Sequence, residues 1–218
     1  MTTTRLYLSD AVTPQTPAAI YGTYTEQAGS GNLKGGGAKA GAATTFSVVK
    51  AAVGGTWTVL LARWAFPAFT QSYALTAADT VELMSGIGIS SVTSAVVTLY
   101  ATLFVMQADG TLRGVALQDS IGSDVIVVTA AGVGDGAIAL GATVNVSPGD
   151  YLVLELGARK TGTATGTRTF TVHYGGTGGT DLTNGSTNVT TEPGWLELVT
   201  ASDPWAVAGG ARRVMLIS

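Results

Sequence analysis

Short runs of apolar and β-branched residues, separated by glycine-rich breaks, recur along the whole of this chain. In residues 94–106, SAVVTLYATLFVM, apolar side chains occupy every second position from Val97, which is the period of a β-strand. No window of a dozen residues has the 3.6-residue period of an amphipathic helix. The pattern predicts an all-β protein with very little helix, an antiparallel and jelly-roll-like β-sandwich.

The apolar runs are spread evenly over the 218 residues, so we predict a single β-sandwich domain over residues 1–218. Two glycine-rich segments, near residues 28–42 and 175–188, are expected to be loops of that domain. Hydrophobic residues make up 46% of the chain and charged residues 11%, a composition that excludes disorder for most of its length.

Turn signals place the strands. Asp109-Gly110 predicts a hairpin that joins residues 94–106 to residues 111–117. Pro148-Gly149-Asp150 predicts a second tight turn. Further strands are predicted at residues 5–8, 56–66, 79–89, 123–129, 139–146, 151–157, 167–174, 195–200 and 211–217, with a short helical turn at 74–78.

Residues 56–66, TWTVLLARWAF, are apolar on both faces of the predicted strand, and Pro67 is expected to end it. One face carries Trp57, Val59 and Leu61, and the other carries Leu60, Ala62 and Trp64. Such a strand belongs in a sandwich core or at a subunit interface, so we expect a symmetric homo-oligomer. The core predicted between the sheets is Trp57, Val97, Leu99, Leu103, Val105 and Val153.

Charge and cysteine content exclude several classes of function. The net charge is −3, from 11 Lys and Arg against 14 Asp and Glu, and nucleic-acid binding needs a basic surplus. Cysteine is absent and His173 is the one histidine, so we predict no catalytic, metal or cofactor site. The opening MTTTRLYLSD does not resemble a signal peptide, and no apolar run is long enough to span a bilayer. We therefore expect cytoplasmic synthesis and no membrane partner.

The acidic residues have structural interpretations. Asp109 and Asp150 lie in predicted turns, where an Asp side chain binds its own backbone. Glu155 alternates with Leu154 and Leu156; it is a polar-face residue, the partner of a nearby arginine, or one half of a glycosidase carboxylate pair. His173, where a strand runs into a loop, has either a structural or a catalytic role.

Glycines and tryptophans offer weaker signals. Residues 132–136, GVGDG, contain one carboxylate that could bind calcium, that of Asp135. Calcium needs about six to eight oxygen ligands, so we interpret this segment as a turn. Trp57 and Trp64 are assigned to the core, and Trp195 begins a strand. Trp205 follows Asp203-Pro204 in a loop and is the best candidate for an exposed interaction aromatic, which would contact either a sugar or a second subunit.

Several motifs resemble a group of β-sandwich proteins found among the virion components of tailed bacteriophages. They are the opening RLYL, the strand ending ARWAFPAF, the hairpin VTLYATLFVMQADGTLRGVAL and the closing PGWLELV. The most specific is VSPGDYLVLELGARKTGTATGTRTFTVHYGGTGGTDL, and together they cover nearly the whole chain. These motifs are structural, so the resemblance assigns no active-site residue.

The resemblance implies a non-enzymatic structural component of a bacteriophage virion, a minor tail protein or a capsid decoration protein. Its expected partners are other virion proteins and copies of itself, with a trimer favoured by analogy. The alternative is a carbohydrate-binding module that contacts a host glycan, which would need two or more exposed aromatic side chains on one platform. A hydrolase is disfavoured because the sequence offers no carboxylate pair or triad.

Overall fold

The computed structural model describes residues 1–9, 21–24, 31–34, 39–52, 54–91, 96–120, 126, 129–163 and 165–206. These ranges contain thirteen β-strands and no helix, which confirms the all-β prediction. The described residues therefore include no helix long and apolar enough to cross a membrane. The strands are β1 (Thr2–Tyr7), β2 (Gly31–Lys34), β3 (Thr44–Lys50), β4 (Trp57–Ala68), β5 (Tyr73–Leu75), β6 (Thr80–Ile89), β7 (Val96–Met106), β8 (Leu112–Ser120), β9 (Ala131–Ala139), β10 (Val144–Val146), β11 (Tyr151–Thr161), β12 (Arg168–Tyr174) and β13 (Trp195–Thr200).

One sheet has five strands in the order β2, β4, β11, β7, β8. All its pairs are antiparallel except β2 with β4, which is parallel. The Asp109-Gly110 turn joins β7 to β8, as the sequence predicts, and Gly110 has the positive φ of 87° that such a turn requires. The other neighbours in this sheet are far apart in sequence, which is typical of a sandwich whose strands cross between sheets.

The second sheet has six strands around β6. β9 pairs with one edge of β6, while β12 and β13 share the other edge and lie end to end along it. Residues 175–194, which we call the outer loop, therefore interrupt what would otherwise be one long strand. β1 pairs with β13, and β3 pairs with β12. β1 and β3 therefore also lie end to end, along the outer edges of β13 and β12. A separate two-stranded sheet joins β5 to β10.

The hydrophobic core lies between the five-stranded and six-stranded sheets. β7 contributes the side chains that its alternation predicts, and Val97, Leu99, Leu103 and Val105 are all buried there. Two of the six predicted core residues are placed differently. Val153 is buried, but it lies on the opposite face of its sheet in a separate cluster with Phe104. Trp57 is only half-buried, because it stands at the end of β4 where the sandwich opens to solvent.

A β-bulge explains why residues 56–66 look apolar on both faces. Opposite β11, the register of β4 shifts so that Leu156 faces Ala62 and Gly157 faces Leu60, which leaves Leu61 as an extra residue. Side chains on both sides of the bulge then point into the same core. The bulge therefore brings apolar residues of both periods to one core face, while Leu60, Arg63 and Ala65 on the other face are also buried within the chain. This strand alone does not require a second subunit.

Other boundaries also differ from the sequence predictions. β4 continues through Pro67 to Ala68, because the proline falls where pairing with β11 skips from Ala65 to Ala68 and no ladder bond is lost. β2 lies within the glycine-rich segment 28–42, which is therefore not all loop, whereas residues 175–188 contain no strand. β3 has no counterpart among the predicted strands.

The region from residue 74 to 146 holds three further corrections. Leu75 belongs to β5, and the chain then makes a turn closed by the bond from Asp79 N–H to Thr76 O, so the helical turn at 74–78 is wrong. The run predicted at 139–146 is divided between β9 and β10. The predicted turn at 132–136 is the middle of β9. The strands predicted at 123–129 and 211–217 fall mostly or wholly outside the described residues.

Glycine is needed within β9 because that strand lies very close to β6. A Cβ added to Gly134 would lie 1.9 Å from the carbonyl oxygen of Leu83, whereas one added to Gly136 would meet open space. We expect Gly134→Ala to lower the free energy of unfolding by about 2–3 kcal/mol through overpacking. The matched control Gly136→Ala should change it by less than about 0.5 kcal/mol. Urea denaturation measures both, and equal losses would contradict the close approach.

Candidate functional site

The two aspartates in turns, Asp109 and Asp150, bind backbone N–H groups of their own turns, as the sequence predicts. Asp109 accepts hydrogen bonds from the N–H and hydroxyl of Thr111, at 2.9 and 2.6 Å, and these bonds lower the pKa of its carboxyl. Asp150 is buried, accepts the N–H of Ser147 at 2.8 Å and pairs with Arg113. Both carboxylates fix local backbone, which confirms their structural interpretation.

Glu155 is a buried carboxylate on the outer face of the five-stranded sheet. It accepts the backbone N–H groups of Tyr21 and Gly22, at 3.0 and 2.7 Å, and lies 3.2 Å from Nε of Arg63. Burial raises the pKa of Glu155, while the two N–H donors and Arg63 oppose that rise. These contacts support the interpretation of Glu155 as an arginine partner, because all of them bind Glu155 to other segments of the same chain.

Residues 21–24, which we call the strap, cross this outer face and are held there by Glu155. The ring of Tyr21 packs edge-on against Phe104 with centroids 4.7 Å apart, and Tyr24 packs similarly against Tyr100 at 6.3 Å. A Cβ at Gly157 would lie 2.4 Å from the Tyr24 ring, so β11 is shaped to receive it. The strap thus covers apolar surface that would otherwise face solvent.

An ionic cluster on the outer face of the six-stranded sheet has Arg5 at its centre. The Arg5 guanidinium binds Asp181 at 2.6 Å, binds Glu197 through Nε at 2.9 Å, and lies 4.2 Å above the Trp195 ring. Lys39 adds a second cation 2.8 Å from Asp181. The cluster joins β1 and Lys39 to the outer loop and β13, which are remote from them in sequence.

The cluster perturbs the groups within it. Burial opposes ionisation of Asp181, but hydrogen bonds from Lys39 and Arg5 outweigh it and hold the pKa of Asp181 below its ordinary value. Burial and the charge of Asp181 raise the pKa of Tyr7 to about 12. Glu82 faces Glu197 across the strand pair, and burial together with that neighbouring charge raises the pKa of Glu82. At neutral pH the cluster therefore holds Asp181 firmly ionised.

The outer loop packs back onto the sheet that it interrupts. Leu182 and Val189 form a small apolar cluster with Met84 and Trp195, and the Trp195 indole N–H donates to the carbonyl of Leu182 at 2.8 Å. Within the loop, Glu192 accepts hydrogen bonds from the side chains of Thr180, Ser186 and Asn188, which lower its pKa. The loop is thus fastened by apolar, ionic and hydrogen-bond contacts.

Removing one charge from the cluster should loosen the outer loop. We expect Asp181→Asn to lower the free energy of unfolding by about 1–2 kcal/mol at pH 7, because Arg5 and Lys39 lose their shared carboxylate. A carboxyl whose pKa is lowered on folding stabilises the protein above its ordinary pKa of 3.8 and stops doing so as the pH falls through the folded value. The difference from wild type should therefore shrink below about pH 4.

Denaturation with urea across that pH range measures this effect. Thr177→Ala is the matched control, because Thr177 is exposed in the same loop and its replacement should have almost no effect. A loss for Asp181→Asn that is independent of pH would contradict the electrostatic cause.

The remaining candidates lie apart from one another. His173 is half-buried on the outer face beside Gly86 and Val189, and burial lowers its pKa, so it is neutral at pH 7. Trp64 is fully buried in the core, as predicted. Trp205 is half-buried; its ring stacks on Phe69 with centroids 4.7 Å apart.

The Trp205 indole N–H donates to the carbonyl of Pro67 at 2.8 Å. This bond and the stacking on Phe69 fix the Trp205 ring against the end of the sandwich. The side chain of Asp135 is outside the described part of the structure. Among described residues, no three His, Asp or Glu side chains are grouped so as to hold a metal ion.

Sequence reasoning missed the Arg5 cluster, although the pattern contains part of the signal. Arg5 and Tyr7 alternate with Leu6 and Leu8, and Glu197 alternates with two leucines, so these polar side chains belong on outward strand faces. The strand pairing that sets Arg5 opposite Glu197 is not visible in the sequence.

No protein-family model matches the sequence, and no curated protein matches it either. Among solved structures, a chain of the infectious bursal disease virus Gt strain is 14% identical, with 74% of this chain and 36% of that chain covered and a TM-score of 0.31. A chain of the Gx strain is 16% identical, with 73% of this chain and 34% of that chain covered and a TM-score of 0.26. A chain of the VP2 subviral particle of the same virus is 11% identical, with 72% of this chain and 36% of that chain covered and a TM-score of 0.25. This chain thus spans about a third of the length of the viral chains that it matches.

Proposed function

We propose that this chain is a non-enzymatic structural component of a bacteriophage virion, acting through protein–protein contacts as a minor tail protein or a capsid decoration protein. The observation that carries the proposal is that the charged side chains bind parts of the chain to one another. Glu155 holds the strap, Asp181 and Arg5 hold the outer loop, and Asp150 closes a turn. Polar groups employed in this way make a rigid building block.

The sequence motifs support the same proposal. The segments that resemble phage virion proteins include several strands: RLYL spans the end of β1 and Leu8, and the hairpin motif covers nearly all of β7 and most of β8. The longest motif begins at the turn before β11 and runs to Leu182 in the outer loop. The resemblance therefore follows the scaffold of the fold, which suits a shared structural role in the virion.

A structural role implies contacts with copies of itself and with other virion proteins, and by analogy the homo-oligomer is a trimer. The carbohydrate-binding alternative receives less support. Trp64 and Trp195 are buried, while the half-buried Trp57 and Trp205 lie at opposite ends of the sandwich and so do not share a platform.

Mass spectrometry of purified phage particles tests the proposal. Peptides from this chain should be found in the particle at a fixed ratio to the major structural proteins, and the purified protein should leave host polysaccharides uncleaved. Absence from washed particles, or release of sugar fragments, would overturn it. A cryo-EM map of the particle would then distinguish a tail position from a capsid surface.

A further inference from the structure

The two ends of the sandwich differ in charge. At one end, Lys160 stands opposite Trp57 and Arg168 opposite Lys50, and the Trp57 ring meets Phe170 of the other sheet at 6.2 Å. The described residues 50–52, 54–57, 90–91, 96–98, 158–163 and 165–168 lie at this basic end, and these ranges contain four cationic and no acidic residues: Lys50, Arg159, Lys160 and Arg168.

The opposite end is acidic. It is built from residues 68–80, 107–113, 140–150 and 200–206, which contain four aspartates and one arginine: Asp79, Asp109, Asp150, Asp203 and Arg113. Stacking of Phe69 on Trp205 joins the two sheets here. The twelve residues of β4 separate the ends by about 36 Å, several times the Debye length at physiological salt. The two sets of charges therefore do not neutralise each other within one molecule.

The accessible charges at the two ends are held in place. At the basic end, Lys50 lies 5.9 Å from the centroid of Trp57, and the exposed Arg159 lies 5.7 Å from that of Tyr100. At the acidic end, Asp109 is exposed and Asp203 is half-buried, and each accepts a backbone N–H two residues ahead. Charges that are already ordered lose little freedom when they meet a partner.

Exposed apolar side chains follow the same division. Among described residues, the large hydrophobic side chains that remain exposed are Val49 (46%), Val96 (49%) and Met1 (99%). Val49 and Val96 lie at the basic end, near Arg168 and Thr161 in the strand register. Met1 lies at the acidic end, where it lines a groove of about 300 Å³ together with Tyr73 and Val199. Each end thus offers apolar surface beside a net charge, which is positive at the basic end and negative at the acidic end.

We propose that two copies of this chain dock end to end, with the basic end of one copy on the acidic end of the next. In this contact Lys50 and Arg159 face Asp109 and Asp203, and the exposed valines enter the groove beside Met1. The inference deepens the proposed function, on which it rests, by naming the surfaces through which the copies assemble. Because the two surfaces differ, the contact is heterologous, and it builds a closed ring or an open stack according to its rotation.

Analytical ultracentrifugation of the purified full chain tests the contact. The weight-average mass should rise with protein concentration at about 50 mM salt, and dissociation should become about tenfold easier at about 500 mM salt because screening weakens the charge pairs. A wild-type chain that stays monomeric at low salt, or whose association ignores salt, would overturn the proposal.

Two variants identify the surfaces. Lys50→Glu with Arg159→Glu reverses the accessible charges of the basic end, where Lys160 and Arg168 are buried. In the second variant, Asp109→Asn and Asp203→Asn keep the turn acceptors, while Ala108→Lys and Ser202→Lys add charge at exposed positions to make the acidic end basic. Each variant alone should be monomeric, and mixing the two should restore association, because each altered end then meets a complementary one. Circular dichroism and thermal unfolding verify that both variants are folded.

Association of either variant alone to the wild-type extent, or failure of the mixture to associate, would show that the ends are not the contact. These outcomes concern purified protein. Detection of the chain in virions is a separate result, so the end-to-end contact can fail while the proposed function stands.

Discussion

Leu103→Ala should lower the free energy of unfolding by about 2–5 kcal/mol, one of the largest losses expected from a single core substitution in this protein. Leu103 is 1% exposed and lies between Leu154 and Leu117 in the strand register, at the middle of β7. Its side chain belongs to the cluster that both sheets share. Truncation leaves a cavity that the surrounding β-strands cannot close without moving out of register.

Urea denaturation monitored by tryptophan fluorescence measures this loss. Thr98→Ala is the matched control in the same strand: Thr98 is half-buried, and its replacement should cost less than about 1 kcal/mol, the range of β-propensity. A loss below half a kcal/mol for Leu103→Ala would place that side chain outside the core and contradict the β7 register.

Local signals were sufficient for most of the five-stranded sheet. The alternation in β7 assigns its buried face, because successive side chains of a strand point in opposite directions. Asp109-Gly110 identifies the hairpin because its turn requires positive φ, which glycine adopts without strain. Both features depend only on residues close together in sequence, so they can be recognised without knowing the fold.

Features that depend on a distant strand could not be predicted. The bulge at Leu61 exists only relative to β11, and without it the pattern of β4 places Trp64 on the face opposite Leu61, whereas both lie in the same core. Residues 132–136, GVGDG, are interpreted as a turn because they offer too few ligands for calcium, yet they form the middle of β9. Its glycines instead permit the approach to β6, as the position of Gly134 beside the Leu83 carbonyl demonstrates. Glycine content alone cannot distinguish a turn from a close strand contact.

The ionic groups illustrate the same limit. Arg5 and Glu197 are 192 residues apart, and only the pairing of β1 with β13 brings them together. For Glu155 the alternation places the side chain opposite its leucine neighbours, and of the alternatives left open the structure supports an arginine partner. The strap that lies over Glu155 has no signal in the sequence pattern. A strand pattern assigns a side chain to a face, whereas the segment that covers that face is determined by the whole topology.

Glu155→Ala should lower the free energy of unfolding by about 3–5 kcal/mol, because it removes one partner of a buried ion pair and leaves the other without its counter-charge. The backbone N–H groups of Tyr21 and Gly22 would lose their acceptor at the same time. The strap should then detach and expose the apolar surface beneath Tyr21, including Phe104. This substitution therefore tests stability and the attachment of one named segment together.

Glu82→Ala is the matched control, an outward-facing carboxylate on the other sheet. Burial and the charge of Glu197 raise the pKa of Glu82, so removing its carboxylate relieves repulsion and should cost less than about 0.5 kcal/mol. Hydrogen exchange locates the effect: in Glu155→Ala the amides of Tyr21 and Gly22 should exchange at least about tenfold faster, while those at the centre of β6 change only with global stability. If the strap amides kept their protection after Glu155 was removed, its aromatic contacts rather than the carboxylate would be holding the strap in place.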